Sequence, residues 1–174
     1  MFTFRIQKTN FSYMMVLLYA VSIFYPLNLP TLDHVKVFAQ NDKNVALLPS
    51  VQIKGLNINV SLAETPEQQT KGLSIKNTLG ENEGMLFVFD TPKKNSFWMK
   101  DMKFPIDIIW ISSNHTIIHI EKSLSPCISF LFCPSYSPEE NSQFVLEVNS
   151  NYTTKNNIAV GDKVEFNIDN STRI

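Results

Sequence analysis

The run GMLFVFD, residues 84–90, decides the fold: Met85, Phe87 and Phe89 share one parity, and Leu86 and Val88 share the other. Side chains alternate between faces along a strand, so this strand is apolar on both sides and belongs in the middle of a covered sheet. Upstream, Leu56, Ile58, Val60 and Leu62 alternate with Asn57, Asn59, Ser61 and Ala63, the period-2 pattern of a half-buried strand. Val51–Lys54 is its partner or lead-in. Between the two, Thr65-Pro66-Glu67-Gln68 forms a capping box with proline at the first helical position, which predicts a short helix from Pro66 to about Lys71, ended by Gly72. Downstream, a turn is expected at Thr91-Pro92-Lys93-Lys94, followed by NSFWMK. IDIIWI from Ile106 then pairs through Ser113-Asn114 with TIIHIEK as a hairpin. QFVLEV (Gln143–Val148) and KVEFNI (Lys163–Ile168) complete the sheet, with Gly161-Asp162 turning into the last strand. The expectation is a compact, sheet-dominated α+β domain of seven to eight short strands and one short helix, closed or partly closed as a barrel.

A chain of 174 residues with 44% hydrophobic and 18% charged residues supports one core. Its net charge of −1 provides no basic field for nucleic acid. Its five glycines form neither GxGxxG nor GxxxxGK[ST], which removes the usual dinucleotide and nucleoside triphosphate cradles. No G-x-S-x-G elbow is present either, so a serine hydrolase is not expected.

No charged residue falls between Phe11 and Leu32, and Arg5 and Lys8 precede that stretch. Pro26, Asn28 and Pro30 concentrate its apolar core between Phe11 and Tyr25, the length of a signal-peptide core or a short anchor. Val37-Phe38-Ala39 offers a cleavage site. The division expected is a signal peptide or membrane anchor over 1–39, a polar linker over 40–50 and a single globular domain over 51–170. The positive flank places that domain outside the cytoplasm, tethered to the membrane through residues 11–32 or secreted.

Cys127 and Cys133 flank ISFLF and are the two cysteines of the chain. In an oxidising compartment they read as a disulfide closing a short loop. Two free buried thiols or a soft-metal pair are the alternatives.

Residues 72–110 carry Gly72-Leu73, Glu83-Gly84-Met85-Leu86-Phe87-Val88-Phe89, Phe97-Trp98-Met99-Lys100-Asp101 and Pro105-Ile106-Asp107. These resemble the GL, EGMLF, FWMK and P-x-D motifs of the domain of unknown function 192 family. Pro126, Tyr136, Val145-Leu146-Glu147 and Gly161-Asp162 extend the likeness over about 51–168. The resemblance implies a fold and often an exported or anchored setting, without an established activity. Ser74 stands where the family usually has methionine, and Lys71 and Lys76 where it has arginines, and lysine does not reproduce a bidentate guanidinium.

Asp107 lies in an apolar strand, so its burial requires a partner. Lys100 is the nearest basic candidate, with Lys71 or loop amides as alternatives. A Lys100–Asp107 pair would line a pocket with Trp98 and Tyr136, or simply fix the loop 101–105. Glu83 and Glu147 raise a two-carboxylate glycosidase reading. Bonds to turn amides for Glu83, and to a neighbouring strand or lysine for Glu147, are the plainer assignment. Met85, Met99 and Met102 with His115 and His119 raise a copper reading, against ordinary core packing of the methionines. The preferred expectation is a non-enzymatic, cofactor-free module binding a small molecule, glycan or envelope protein through Trp98, Lys100, Asp107, Tyr136 and Glu83. The alternative is a metal protein or carboxylate hydrolase.

Overall fold

The computed structural model describes residues 48–127 and 132–168. The apolar segment 11–32, the cleavage site after Ala39 and most of the linker lie outside those residues. The chain divides into two units, Met1–Val45 and Ala46–Ile174, and the described residues fall in the second. Among the described residues, no helix is long and apolar enough to cross a membrane.

Strands β1 (Ser50–Ile53) and β2 (Leu56–Ala63) form an antiparallel hairpin. Lys54 and Gly55 turn it with φ of 53° and 79°, the left-handed pair that matches strand twist in a two-residue loop. Helix α1 (Pro66–Lys71) starts as the capping box requires: Gln68 N donates to Thr65 Oγ1 at 3.3 Å, and Thr65 N donates to Gln68 Oε1 at 3.0 Å. It passes into a 3₁₀ turn, Gly72–Ile75. This connection crosses over to β3 (Glu83–Lys93), which lies parallel to β2.

The expected turn at Thr91–Lys94 is instead the end of β3. Pairing with β8 breaks after Val88 and resumes at Lys93 opposite Ser142, an irregularity that absorbs Pro92 without ending the strand. β4 (Phe97–Trp98) leaves the main sheet and pairs with β7 (Ser135–Tyr136), a two-residue strand with little periodic signal. β5 (Ile106–Ile111) and β6 (Ile117–Leu124) form the expected hairpin. β8 (Ser142–Asn149), the single helical turn α2 (Tyr152–Lys155) and β9 (Val164–Asn167) complete the unit.

The main sheet runs β6-β5-β8-β3-β2-β1-β9 and curls into a half-barrel. Its two edges meet at one end, where Thr116 bridges Lys163 and Val164 N donates to His115 O at 3.0 Å. The inner face holds a core fed by all seven strands, among them Val51, Ile58, Leu86, Ile109, Ile117, Leu146 and Val164. The outer face of β3, β5 and β8 carries a second core, with Met85, Phe87, Ile108, Trp110 and Val145. The parity read from GMLFVFD is therefore realised: Leu86 faces inward, Met85 and Phe87 outward.

The outer core is roofed by the Gly72–Ile75 turn, through the fully buried Leu73, and by residues 95–99. Trp110 Nε1 donates to Asn95 O at 2.7 Å and Asn95 Nδ2 to Ser142 O at 2.8 Å. These bonds satisfy the buried polar groups and pin the roof to β5 and β8. Cys127 and Cys133 form a disulfide with Cα atoms 5.4 Å apart. Cys127 N donates to Met99 O at 3.0 Å, which ties this loop to the same roof.

Candidate functional site

On β8, Glu147 stands opposite Met85 of β3 and Ile108 of β5, so its side chain enters the outer core. It is only 4% exposed. Burial pushes its carboxyl up to about 8, against an opposing hydrogen bond from the Leu73 backbone. At neutral pH the group is therefore mainly a protonated acid. Its Oε2 has no hydrogen-bond partner. Such an orphaned buried atom costs on the order of 1–3 kcal/mol, and it marks the place as exceptional in a core whose other polar groups are paired.

The local fold leaves a small space beside that carboxyl, with almost none of Oε2 itself open to solvent. α1 stops at Gly72, where φ is 48° and ψ −144°, a conformation open essentially to glycine. A Cβ there would lie 3.3 Å from Phe87 Cζ and 3.7 Å from Glu147 Oε2, so the glycine keeps the space open. The resulting chamber of about 40 Å³ is lined by the 69–74 segment, Phe87, Phe97, Trp98, Lys100, Met102 and Glu147. It has room for about one or two water molecules. Beside it runs a groove of about 610 Å³ that shares Gln69, Thr70, Phe87, Phe97 and Trp98 with the chamber and adds Phe89, Lys93, Lys94, Asn95 and Ser96. That is the size of a small-molecule pocket. Trp98, half exposed, stands between the two.

The two cations that line the chamber are engaged. Lys71 Nζ lies 2.8 Å from Glu67 Oε1, and Lys100 Nζ lies 2.5 Å from Asp101 Oδ2. Lys100 also sits 5.9 Å from the Trp98 ring centroid, and Lys93 5.3 Å from that of Phe89.

Trp98 and Lys100 thus meet at the chamber, and Tyr136 packs on the same outer core while pairing with Phe97 in β7. The other two candidates lie elsewhere. Asp107 faces the opposite side of the sheet and forms no pair with Lys100. Its Oδ1 accepts from Ser123 N (2.8 Å) and Asn151 N (3.1 Å), and its Oδ2 from Thr153 N (2.9 Å) and Thr153 Oγ1 (2.6 Å). In place of a lysine or loop amides, its partners are a β6 amide, the amide of Asn151 before α2, and the amide and hydroxyl of Thr153 within α2. Glu83 begins β3 on the surface, with Oε2 3.1 Å from Gly80 N and 3.8 Å from Lys76 Nζ, beside a separate shallow depression. The centre of the site is Glu147, for which the plainer expectation was a bond to a neighbouring strand or a lysine. The signal in the sequence is a lone carboxylate in an apolar strand, VLEV, flanked by hydrophobic residues of both parities.

The methionine and histidine set is dispersed. Met85 and Met99 are buried in the outer core. His115 packs edge-to-face against Phe144 and Phe166. A register shift in β6 places His119 opposite Trp110, with its Nε2 3.1 Å from Glu121 Oε1. Among the described residues, no group of three or more His, Cys, Asp or Glu is placed to hold a metal. A further depression of about 460 Å³ is bordered by Glu81 and Lys155. These two exposed groups form an ion pair in which Lys155 lowers the Glu81 carboxyl and Glu81 raises the Lys155 amine.

Fold and site define a curled half-barrel whose outer face carries a buried acid lining a small chamber, beside an aromatic groove. The chain belongs to the domain of unknown function 192 family, described as an uncharacterized ACR, whose profile matches residues 49–166. No curated protein matches it. Two crystal structures are similar. One is a candidate transcription regulator from Sinorhizobium meliloti, 26% identical, with a TM-score of 0.61 over 68% of this chain and 91% of that one. The other is a protein of unknown function from Novosphingobium aromaticivorans, 28% identical, with a TM-score of 0.61 over 70% of this chain and 88% of that one.

Proposed function

We propose that the chain is a non-enzymatic binding module working outside the cytoplasm, membrane-tethered or secreted, whose ligand site is the Trp98 groove together with the adjoining Glu147 chamber. The observation that carries this reading is the unpartnered Oε2 of Glu147, buried beside a space that Gly72 keeps open. Small molecules, glycans and groups presented by envelope proteins are the ligand classes considered. The apolar segment 11–32 with its positive flank and the Cys127–Cys133 disulfide support the setting.

Binding is favoured over glycoside hydrolysis because that chemistry needs two carboxyl groups flanking one bond. Asp107 lies on the other face, and Glu83 borders a different depression. A nucleic-acid role finds no support in a net charge of −1. The regulator description belongs to the Sinorhizobium protein alone.

The test is a thermal-shift screen of the full-length chain against a broad library of small molecules and glycans, repeated with Glu147→Leu and Trp98→Ala. Ligands that stabilise the wild type but neither variant support the site. Stabilisation that survives both substitutions moves the site elsewhere, and an empty screen removes the binding reading. Protease accessibility on intact cells checks the compartment.

A further inference from the structure

We propose that the ligand of this groove is a carbohydrate, with a sugar ring stacked on the exposed face of Trp98 and one hydroxyl hydrogen-bonded to Glu147 Oε2 in the chamber. The proposal rests on the binding reading above and narrows it to one chemistry.

Three kinds of polar group can satisfy a buried acid, and the surroundings separate them. An ammonium pairs with the ionised form, but burial keeps this carboxyl mainly neutral at pH 7, and Lys71 and Lys100 border the same chamber. A carboxylate or phosphate would need unspent positive charge at the chamber itself, where Lys71 is paired with Glu67 and Lys100 with Asp101; Lys93 and Lys94 line only the groove, and the benzoate probe reads them. A hydroxyl both donates and accepts, so it completes the carboxyl in either protonation state and asks for no counter-charge.

Dimensions agree with that choice. At about 40 Å³ the chamber admits a hydroxyl or hydroxymethyl group and excludes a ring, while the adjoining groove of about 610 Å³ takes the body of a small ligand. An indole that is half exposed offers an apolar face to the C–H side of a sugar ring. Around it, Gln69, Thr70, Asn95 and Ser96 supply polar groups at the groove wall.

The experiment uses the full-length chain in a sugar-free amine-oxide detergent, with saturation-transfer NMR and calorimetry. The probes are a panel of neutral mono- and disaccharides, benzoate as the anion and choline as the cation. At least one neutral saccharide is expected to bind, with affinity reduced about tenfold by Trp98→Ala and about tenfold by Glu147→Leu. Glu147→Gln keeps the shape and a hydrogen-bonding head, and is expected to stay within about threefold of wild type. It also controls for folding. Binding of benzoate or choline alone, blocked by the same variants, overturns the carbohydrate assignment and leaves the site in place. Saccharide binding indifferent to Trp98→Ala and Glu147→Leu overturns the geometry proposed here. Failure of the whole saccharide panel also overturns the carbohydrate assignment, and the library screen then decides whether the site reading falls with it.

Discussion

Asp107 on β5 pairs with Val148, and Glu147 on β8 pairs with Ile108, so two buried carboxyls stand one register step apart and point through opposite faces of one sheet. Asp107 accepts four hydrogen bonds. Glu147 receives one opposing backbone bond and keeps a bare oxygen. The same functional group is thus fully bonded on one face and left with an unpaired oxygen on the other.

Replacing Glu147 with glutamine will change the pH dependence of stability. The folded acid holds its proton up to about pH 8, against 4.5 for an ordinary glutamate. Between those values the folded state binds more protons than the unfolded state, so stability falls as pH rises through this window, at most about 1.4 kcal/mol per pH unit. Glu147→Gln removes the slope. Urea unfolding at pH 5, 7 and 9 is expected to show the variant gaining on wild type as pH rises, and parallel curves would sink the assignment.

Asp107→Asn leaves one acceptor oxygen for four donors and turns an amide toward them. Two of those donors, Ser123 N and Asn151 N, belong to residues with φ of 52° and 67°, whose strained backbone the carboxylate helps to hold. A loss of about 2–4 kcal/mol is expected from chemical denaturation. Ligand affinity at the Trp98 groove should stay unchanged, because Asp107 lies on the opposite face.

Gly72→Ala will cost about 1–3 kcal/mol for a backbone conformation that favours glycine. It also puts a methyl group 3.7 Å from Glu147 Oε2 and 3.3 Å from Phe87 Cζ. Ligand binding should drop more than stability alone accounts for. Comparing the melting temperature with calorimetric affinity separates the two effects.

Reducing the Cys127–Cys133 disulfide, or changing both cysteines to serine, should lower stability by about 2 kcal/mol through the entropy of a short loop. Because this loop is bonded to Met99 O in the roof, chamber binding should weaken as well. Unfolding and affinity measured with and without reductant check both effects.

Much of the fold was legible in local pattern. The capping box, the alternation over residues 56–62, the two-faced GMLFVFD strand and the 106–122 hairpin each carry their own chemistry within a few residues. Thr91-Pro92 misled because proline reads as a strand end, whereas the pairing of Lys93 with Ser142 carries β3 past it. The β4–β7 pair is two residues long on each side, too short for any periodic signal. Among the candidate residues, Trp98 and Lys100 stand out in the FWMK motif and border the chamber, whereas Tyr136 packs on the outer core and lines neither chamber nor groove. Asp107 looked equally promising, and only its four donors, from residues 16 to 46 positions away, show what it does.

The sequence by itself determined the family, through its EGMLF, FWMK and P-x-D motifs, and a strand-rich fold, the position of α1 and the alternating faces of its main strands, which follow from periodicities and caps written over short stretches. Tertiary structure decided which buried carboxyl was satisfied and which was left open. Strand parity assigns Asp107 and Glu147 to a face within their own strands, but which face meets the roof depends on how β5 and β8 register and on where the 3₁₀ turn after Gly72 comes to rest. A hydrogen-bond donor supplied from 46 residues away leaves no trace in the residues beside the acceptor, so the distinction between a fully bonded and an unpaired carboxyl exists only in the folded chain.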